Sequence, residues 1–338
     1  MNYYLFGKSG LRVSELALGT ITFGTEWGWG ADKTESKKIF DVYANAGGNF
    51  IDTANRYTEG SSEKFVGEFI KSDRDHFVVA TKYSLYDNPD DVNYSGNHRK
   101  NMMRSVRESL KRLDTDFIDV LWIHAWDFMT PPEEILRGLD DLVRSGDVHY
   151  IAISDTPAWI VAQCNTMAEL RGWTAFTGLQ VEYSLIERTP ERDLIPMADA
   201  YGMAVAPWGT MAGGALTGKY LKGEEGRVSE ESKRRNERSR MITQKVVDVA
   251  EKIGVTPAQV AVRWAMQKKF LSIPIVGGRK ESQIKDSLGC LKIEIPDEQM
   301  QVLDEVSSID YGFPHEFLSL KETKNVIYGK KGGKIVKR

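Results

Sequence analysis

Hydrophobic positions along the chain switch between two periods. Short apolar, strand-type runs are followed repeatedly by stretches whose apolar residues recur every three or four positions, the pattern of strand–helix units. Residues 3–15 read as two short strands around the turn Gly7-Lys8-Ser9-Gly10, and 15–19 as a further strand. Over 35–46, Ile39, Phe40, Val42, Tyr43 and Ala46 form a helical stripe that Gly47-Gly48 stops. Then come a strand at 49–52, a helix at 62–70, a buried-type strand at 76–81 and a helix at 99–113. A strand at 117–123 precedes a helix at 132–143, whose prolines are tolerated in its first turn. The strand at 148–153 leads to Thr156-Pro157, a helix start for a segment reaching about residue 170. Strands at 178–181 and 203–206 flank a helix at 191–201. After a charged insertion at 222–240 come helices at 242–252 and 257–266, a last strand at 271–275, and helices at 282–289 and 296–306.

Counted from Leu16 there are eight strands, each followed by helical sequence. That order predicts an α/β fold: a closed (β/α)8 TIM barrel with an N-terminal β-hairpin and extra C-terminal helices. No low-complexity linker divides it, so 1–328 reads as a single domain and the basic, glycine-containing stretch 329–338 as a mobile tail.

Composition narrows the partners. With 338 residues, 41% of them hydrophobic, and a net charge of -3, the chain can build a large core and has no overall basic bias for nucleic acid. The basic run Lys233-Arg234-Arg235, with Arg238 and Arg240, is interleaved with Glu230, Glu231 and Glu237. It reads as a solvated loop or, since it follows the seventh strand, as a cover for a cofactor. Cys164 and Cys290 make neither a disulfide framework nor a metal motif, which points to a reducing compartment. Neither a signal-peptide pattern nor an apolar run approaching about 18 residues is present. A cytoplasmic protein off the membrane is expected, its oligomeric state left open, homo-oligomers included. Five histidines show no paired spacing for a metal, and none is expected. Gly213 and Gly218-Lys219 nearly match a phosphate-binding loop, but Tyr220 stands where serine or threonine would bind Mg²⁺.

In a barrel of this kind, chemistry sits at the C-terminal ends of the strands. Those ends present Asp52 and Tyr57, then Lys82, then His124, on three neighbouring strands. Singly, such residues are ordinarily a cap, a loop aromatic, a solvated charge and a satisfied polar group. Together they fit one mechanism. Lys82 lowers the pKa of Tyr57, Asp52 keeps Lys82 charged and oriented, and His124 donates a hydrogen bond to a substrate oxygen. Trp27, Trp29 and Trp126 lie just beyond strand ends and either wall a substrate pocket or simply pack. As walls they would suit flat aromatic or other apolar aldehydes.

This tetrad, in this order, resembles that of the aldo-keto reductases. So do Gly10-Leu11-Arg12-Val13-Ser14, Gly60-Ser61-Ser62-Glu63, the run from Gly213 to Tyr220, and Gly277-Gly278-Arg279. The likeness covers nearly the whole chain and is strongest to the aryl-alcohol dehydrogenase-like and potassium-channel beta-subunit branch. It implies NADPH-dependent reduction of a small carbonyl substrate, the cofactor being bound without a Rossmann fingerprint; no G-x-G-x-x-G follows any strand. The alternative within the same branch is an NADPH-binding regulatory subunit with little turnover. His124 favours the enzyme, because the channel subunits tend to carry asparagine there.

By the same resemblance, Ser154, Asp155 and Gln180 meet the nicotinamide carboxamide and Trp208 stacks on the ring. Gly209, Thr210, Met211, Ala212, Gly213 and Lys219 meet the phosphates. Gly277, Gly278 and Arg279 hold the 2′-phosphate end, with Arg279 as the cation. Gln283, Asp286 and Ser287 line the adenosine end, and Gly19, Thr20 and Asp52 complete the set. Four positions depart from the family pattern: Asp155 and Ser287 stand where asparagines are usual, and Gly209-Thr210 where serine-proline is common.

Overall fold

The computed structural model describes residues 1–224, 226 and 228–336. Strands β1 (Tyr3–Leu5) and β2 (Arg12–Ser14) form an antiparallel hairpin. The parallel sheet follows in chain order: β3 (Ala17–Gly19), β4 (Phe50–Asp52), β5 (Val78–Tyr83), β6 (Ile118–Ile123), β7 (Val148–Ser154), β8 (Gly178–Glu182), β9 (Ala204–Trp208) and β10 (Ile275–Val276). β10 returns to pair with β3. The seam beside β9 is closed by the segment before β10: Val205 N donates to Leu271 O at 2.9 Å, and Ile273 N to Val205 O at 2.8 Å. The chain is therefore a (β/α)8 barrel, as the strand–helix count predicts.

Side chains alternate across a strand, so one parity of every strand faces the barrel axis. Ala17, Phe50, Val78, Ala80, Val120, Trp122, Ala152, Ala204 and Ala206 form that axial cluster. The other parity, with Leu18, Ile51, Val79, Leu121, Ile153 and Val205, packs under the helices. Phe6 plugs the axis from below, its ring 5.5 Å from Phe50 and 6.0 Å from Trp122. A Cβ on Gly178 would come 2.4 Å from the Phe6 ring, so β8 needs glycine where the hairpin enters. At the upper end, two residues beyond the axial positions, the same parity delivers Gly19, Asp52, Lys82, His124, Ser154, Gln180 and Trp208.

The helices follow the pattern with instructive exceptions. The helix expected at 242–252 runs over Glu237–Ile253, because the Asn236 side chain accepts from Ser239 N at 2.8 Å and caps it earlier. Its first turn is solvated, which hid it from an apolar period. Thr256 makes a capping box with Gln259, but Thr156 caps nothing. Its hydroxyl donates back to Ser154 O at 2.8 Å and the helix begins at Ala158. Beyond the helix Asp297–Val306 lie two short helices, His315–Ser319 and Lys321–Tyr328, neither with a buried residue. Within the tail expected at 329–338, Gly329–Lys334 forms 3-10 turns with no buried residue, and 337–338 lie outside the described residues. Among the described residues no helix is long and apolar enough to cross a membrane.

Candidate active site

β4 ends at Asp52, and a short turn then carries Tyr57 back over the barrel mouth, its backbone N–H donating to Ala54 O at 3.1 Å. Lys82, in axial parity with Ala80, rises from β5 beneath it. Its Nζ donates to Asp52 Oδ2 at 2.5 Å, Thr53 O at 3.0 Å and Tyr57 OH at 3.0 Å. The second oxygen of Asp52 accepts from Gln180 Nε2 at 3.0 Å. The His124 imidazole stands edge-on to Tyr57, with ring centroids 5.8 Å apart. The four residues expected from the strand ends are thus brought together around one buried cation.

Their ionisation follows from burial and contact. Burial works against a charge on Lys82, but the Asp52 carboxylate and the Tyr57 hydroxyl outweigh it and hold the ammonium above its ordinary pKa. For Tyr57 burial exceeds the pull of Lys82, and the phenol is raised above its ordinary value. This corrects the expectation that Lys82 brings the Tyr57 pKa down: a fully enclosed phenolate loses more solvation than one ammonium returns, so Lys82 tempers the rise without reversing it. Tyr57 is a proton holder. Burial first, and Lys82 second, push His124 well below its usual value, so its imidazole is neutral. Its Nδ1 is buried with no hydrogen-bond partner among the described residues.

A cavity of about 490 Å³ runs from these groups across the mouth. Of the expected site residues, Gly19, Asp52, Tyr57, His124, Ser154, Asp155, Gln180, Trp208, Gly209, Thr210, Met211, Gly213, Lys219, Gly277, Gly278, Arg279, Gln283, Asp286 and Ser287 line it. Lys82 lies behind that wall. Thr20 is turned away, donating to Asp52 O at 3.0 Å and accepting from Ser62 Oγ at 2.8 Å. Ala212 is buried in its turn, with its N–H on Gly209 O at 2.6 Å. Trp27, Trp29 and Trp126 are not among the lining residues. Trp27 and Trp29 pair with each other at 5.7 Å between centroids, and Trp126 is buried, its backbone N–H donating to the Asp155 backbone carbonyl at 3.5 Å.

The cavity also takes in residues not expected among the individual cofactor contacts. Gly214 and Thr217 extend the glycine turn already singled out, and Thr22 lines the wall with its hydroxyl on Gly278 O at 2.6 Å. Arg234, from the charged insertion, lines the cavity and pairs with Glu182 at the end of β8. Ile21, Ala258 and Ile275 carry no chemical signal that could have flagged them.

The middle of the cavity has the features of an anion cradle. Gly209 (φ 71°), Ala212 (φ 50°), Gly213 (φ 67°) and Gly214 (φ 93°) all take left-handed backbone, as in anion-binding nests, with the Ala212 and Gly214 N–H groups used inside the turn on Gly209 O and Met211 O. Thr210 Oγ1 is buried and unpartnered among the described residues. A Cβ on Gly214 would sit 3.1 Å from Lys219 Nζ, so glycine also lets the cation approach this turn. Nearer Tyr57, Asp155 accepts from Trp208 Nε1 at 3.4 Å, and burial raises its pKa. At the far end Gln283 Oε1 accepts from Arg279 N at 2.8 Å. Asp286 Oδ1 is tied to Thr256 Oγ1 at 2.9 Å and Gln259 Nε2 at 3.0 Å. Asp286 is therefore already committed to a helix cap.

Comparison with known proteins agrees with this geometry. The model of the Aldo/keto reductase family matches residues 15–308. An aryl-alcohol dehydrogenase (NADP(+)) from Phanerodontia chrysosporium is 39% identical, over 94% of this chain and 89% of that protein. A norsolorinic acid reductase from Aspergillus flavus is 37% identical, over 93% of this chain and 83% of that protein. A putative aryl-alcohol dehydrogenase from Saccharomyces cerevisiae is 36% identical, over 92% and 87%. The barrel, the Asp52–Lys82–Tyr57–His124 arrangement and the extent of these matches lead to one assignment: the chain belongs to the aldo/keto reductase family.

Proposed function

We propose that this protein reduces aromatic aldehydes or ketones to alcohols with NADPH, Tyr57 supplying the proton. As an aldo/keto reductase it is an oxidoreductase acting on carbonyl compounds with a nicotinamide cofactor. The cofactor, when bound, supplies the hydride to the carbonyl carbon. Tyr57 OH donates its proton to the carbonyl oxygen, and Lys82 Nζ, 3.0 Å away, stabilises the phenolate left behind. Asp52 orients Lys82 through the 2.5 Å contact, while neutral His124 donates an N–H to the same substrate oxygen. The observation that carries this reading is the proton-holding Tyr57 set directly on a buried ammonium at the end of the cavity.

The residues present fit NADPH. The left-handed turn at 209–214, the unpartnered Thr210 hydroxyl and Lys219 suit its phosphates. Arg279 suits the 2′-phosphate, the feature that separates NADPH from NADH. Gln180 has its amide nitrogen on Asp52, so its carbonyl oxygen is the atom offered to the carboxamide, and Asp155 accepts a second carboxamide N–H. Aromatic substrates follow from the names of the relatives, an aryl-alcohol dehydrogenase and a norsolorinic acid reductase.

The test is Tyr57→Phe. Its aldehyde-dependent NADPH oxidation falls by roughly 10²–10⁴-fold, with NADPH still bound by fluorescence titration. A variant that keeps most of the rate would refute Tyr57 as the acid. Faster turnover of benzaldehydes than of aliphatic aldehydes of matched reactivity supports the aromatic class, and the reverse rules it out.

A further inference from the structure

Three residues after Tyr57 take left-handed backbone in succession: Thr58 (φ 47°), Glu59 (φ 54°) and Gly60 (φ 86°). Two of them carry a Cβ, which crowds the following carbonyl in that conformation, and residues with side chains do not keep it in runs without outside support. The support comes from the loop after β3. Thr58 Oγ1 donates to Phe23 O at 2.5 Å, and Trp27 Nε1 donates to Glu59 Oε1 at 2.9 Å. Gly24 lets that loop close on the turn, since a Cβ there would lie 2.7 Å from Thr58 Cβ. Ser61 Oγ donates to Glu26 of the same loop.

The residue before Tyr57 belongs to the same cluster. Arg56 pairs with Glu59, and its guanidinium lies 4.4 Å from the Tyr86 ring centroid and 5.5 Å from that of Trp27. Arg56 also donates to Tyr86 OH at 2.8 Å. The catalytic turn is thus gripped on both sides of Tyr57 by side chains from the ends of β3 and β5.

We infer that Arg56, Glu59 and Trp27 are positioning residues that hold the Tyr57 hydroxyl against Lys82 by bracing the left-handed turn between them. The inference rests on the reading of Tyr57 as the proton donor. Two observations separate positioning from simple stabilisation. The Arg56–Glu59 pair is half open to solvent on the Glu59 side, where an ion pair adds little to folding. Yet the cluster grips the segment that carries Tyr57, and a small shift of that segment changes the 3.0 Å Tyr57–Lys82 contact. Trp27, expected from sequence as a substrate wall or a packing residue, acquires through its N–H a defined task in the turn.

The experiment is Glu59→Gly. Glycine takes left-handed backbone freely, so this change removes the strain together with the contacts that oppose it. If the contacts position Tyr57, the variant unfolds no earlier than wild type, yet its kcat falls roughly 10–100-fold. KM and the NADPH dissociation constant then stay within about twofold. The alkaline limb of the rate profile shifts, because burial and Lys82, the two largest influences on the Tyr57 proton, both change when the hydroxyl moves. Trp27→Phe, which keeps a ring and loses the N–H, shows a smaller loss of the same kind, and Glu59→Gln, which keeps an acceptor oxygen, restores part of the rate. Wild-type kcat and pH profile in Glu59→Gly, alongside an inactive Tyr57→Phe, overturn the clamp and leave the acid standing. An earlier unfolding that accounts for the lost rate also overturns it, by making the cluster a folding element. An active Tyr57→Phe instead removes the premise.

Discussion

Replacing Lys82 with methionine tests the centre of the site. Methionine has nearly the same length and fills the same volume, so the change removes a charge and little else. In the native protein the ammonium is fully buried, 2.5 Å from Asp52 and 3.0 Å from Tyr57. Without it, Asp52 keeps neutral donors alone, the Gln180 amide at 3.0 Å and the Trp122 indole, and no counter-charge. Breaking one side of a buried ion pair costs about 3–5 kcal/mol. For 338 residues at about 2.1 cal/mol/K each, the unfolding entropy is about 0.7 kcal/mol/K, so the melting point falls by about 4–7 °C. The pH dependence has a definite sign. Burial already holds the Asp52 carboxyl above its ordinary value in the native protein, and loss of the Lys82 charge raises it further, so the folded variant holds a proton that the unfolded state releases. The deficit is therefore largest above the folded pKa and closes as pH falls toward the ordinary value of 3.8. Thermal unfolding of wild type and variant at pH 8 and pH 4.5, followed by circular dichroism, reads both effects. Asp52→Leu with Lys82→Met regains stability but no reductase activity. A Lys82→Met protein that melts with wild type at pH 8, or with the same deficit at both pH values, would show that the pair is not the buried element described here.

Other consequences can be checked separately. His124 is held neutral well below its ordinary pKa of 6.5 and Tyr57 protonated above 10.0, so kcat/KM for reduction is flat across pH 6.5–9 and falls only at higher pH; a break near 6.5 contradicts the burial argument. Gly178→Ala drives a methyl 2.4 Å from the Phe6 ring and lowers the melting point by about 1–4 °C; adding Phe6→Leu restores it if the plug is the cause. Arg279→Ala weakens NADPH binding by roughly 10–100-fold in fluorescence titration and leaves NADH affinity nearly unchanged; equal losses for both cofactors reject its 2′-phosphate role.

Much of the site is legible along the chain because a strand imposes a strict two-residue alternation. Asp52 stands two residues after Phe50, Lys82 two after Ala80 and His124 two after Trp122, so each inherits the axial face of its strand. The Thr256-Pro257 start was readable for a similar local reason, since Gln259 lies within reach of the cap. Thr156-Pro157 shows the limit of such reading. The same pair of residues caps nothing there, because the Ser154 carbonyl is the nearer partner.

The sequence alone determined the eight strand–helix units, the parity that turns the tetrad inward, and the motifs shared with the family, all of which depend on neighbours a few residues apart. Tertiary structure decided what depends on groups distant in the chain. Burial outweighs the pull of Lys82 on the Tyr57 proton. Arg234 reaches the cavity by pairing with Glu182, 52 positions away. Trp27 faces Glu59 rather than the cavity, because the loop after β3 must close over a left-handed turn. Periodicity is a property of the backbone and can be read from a string. Solvation and contact exist only once the barrel has closed.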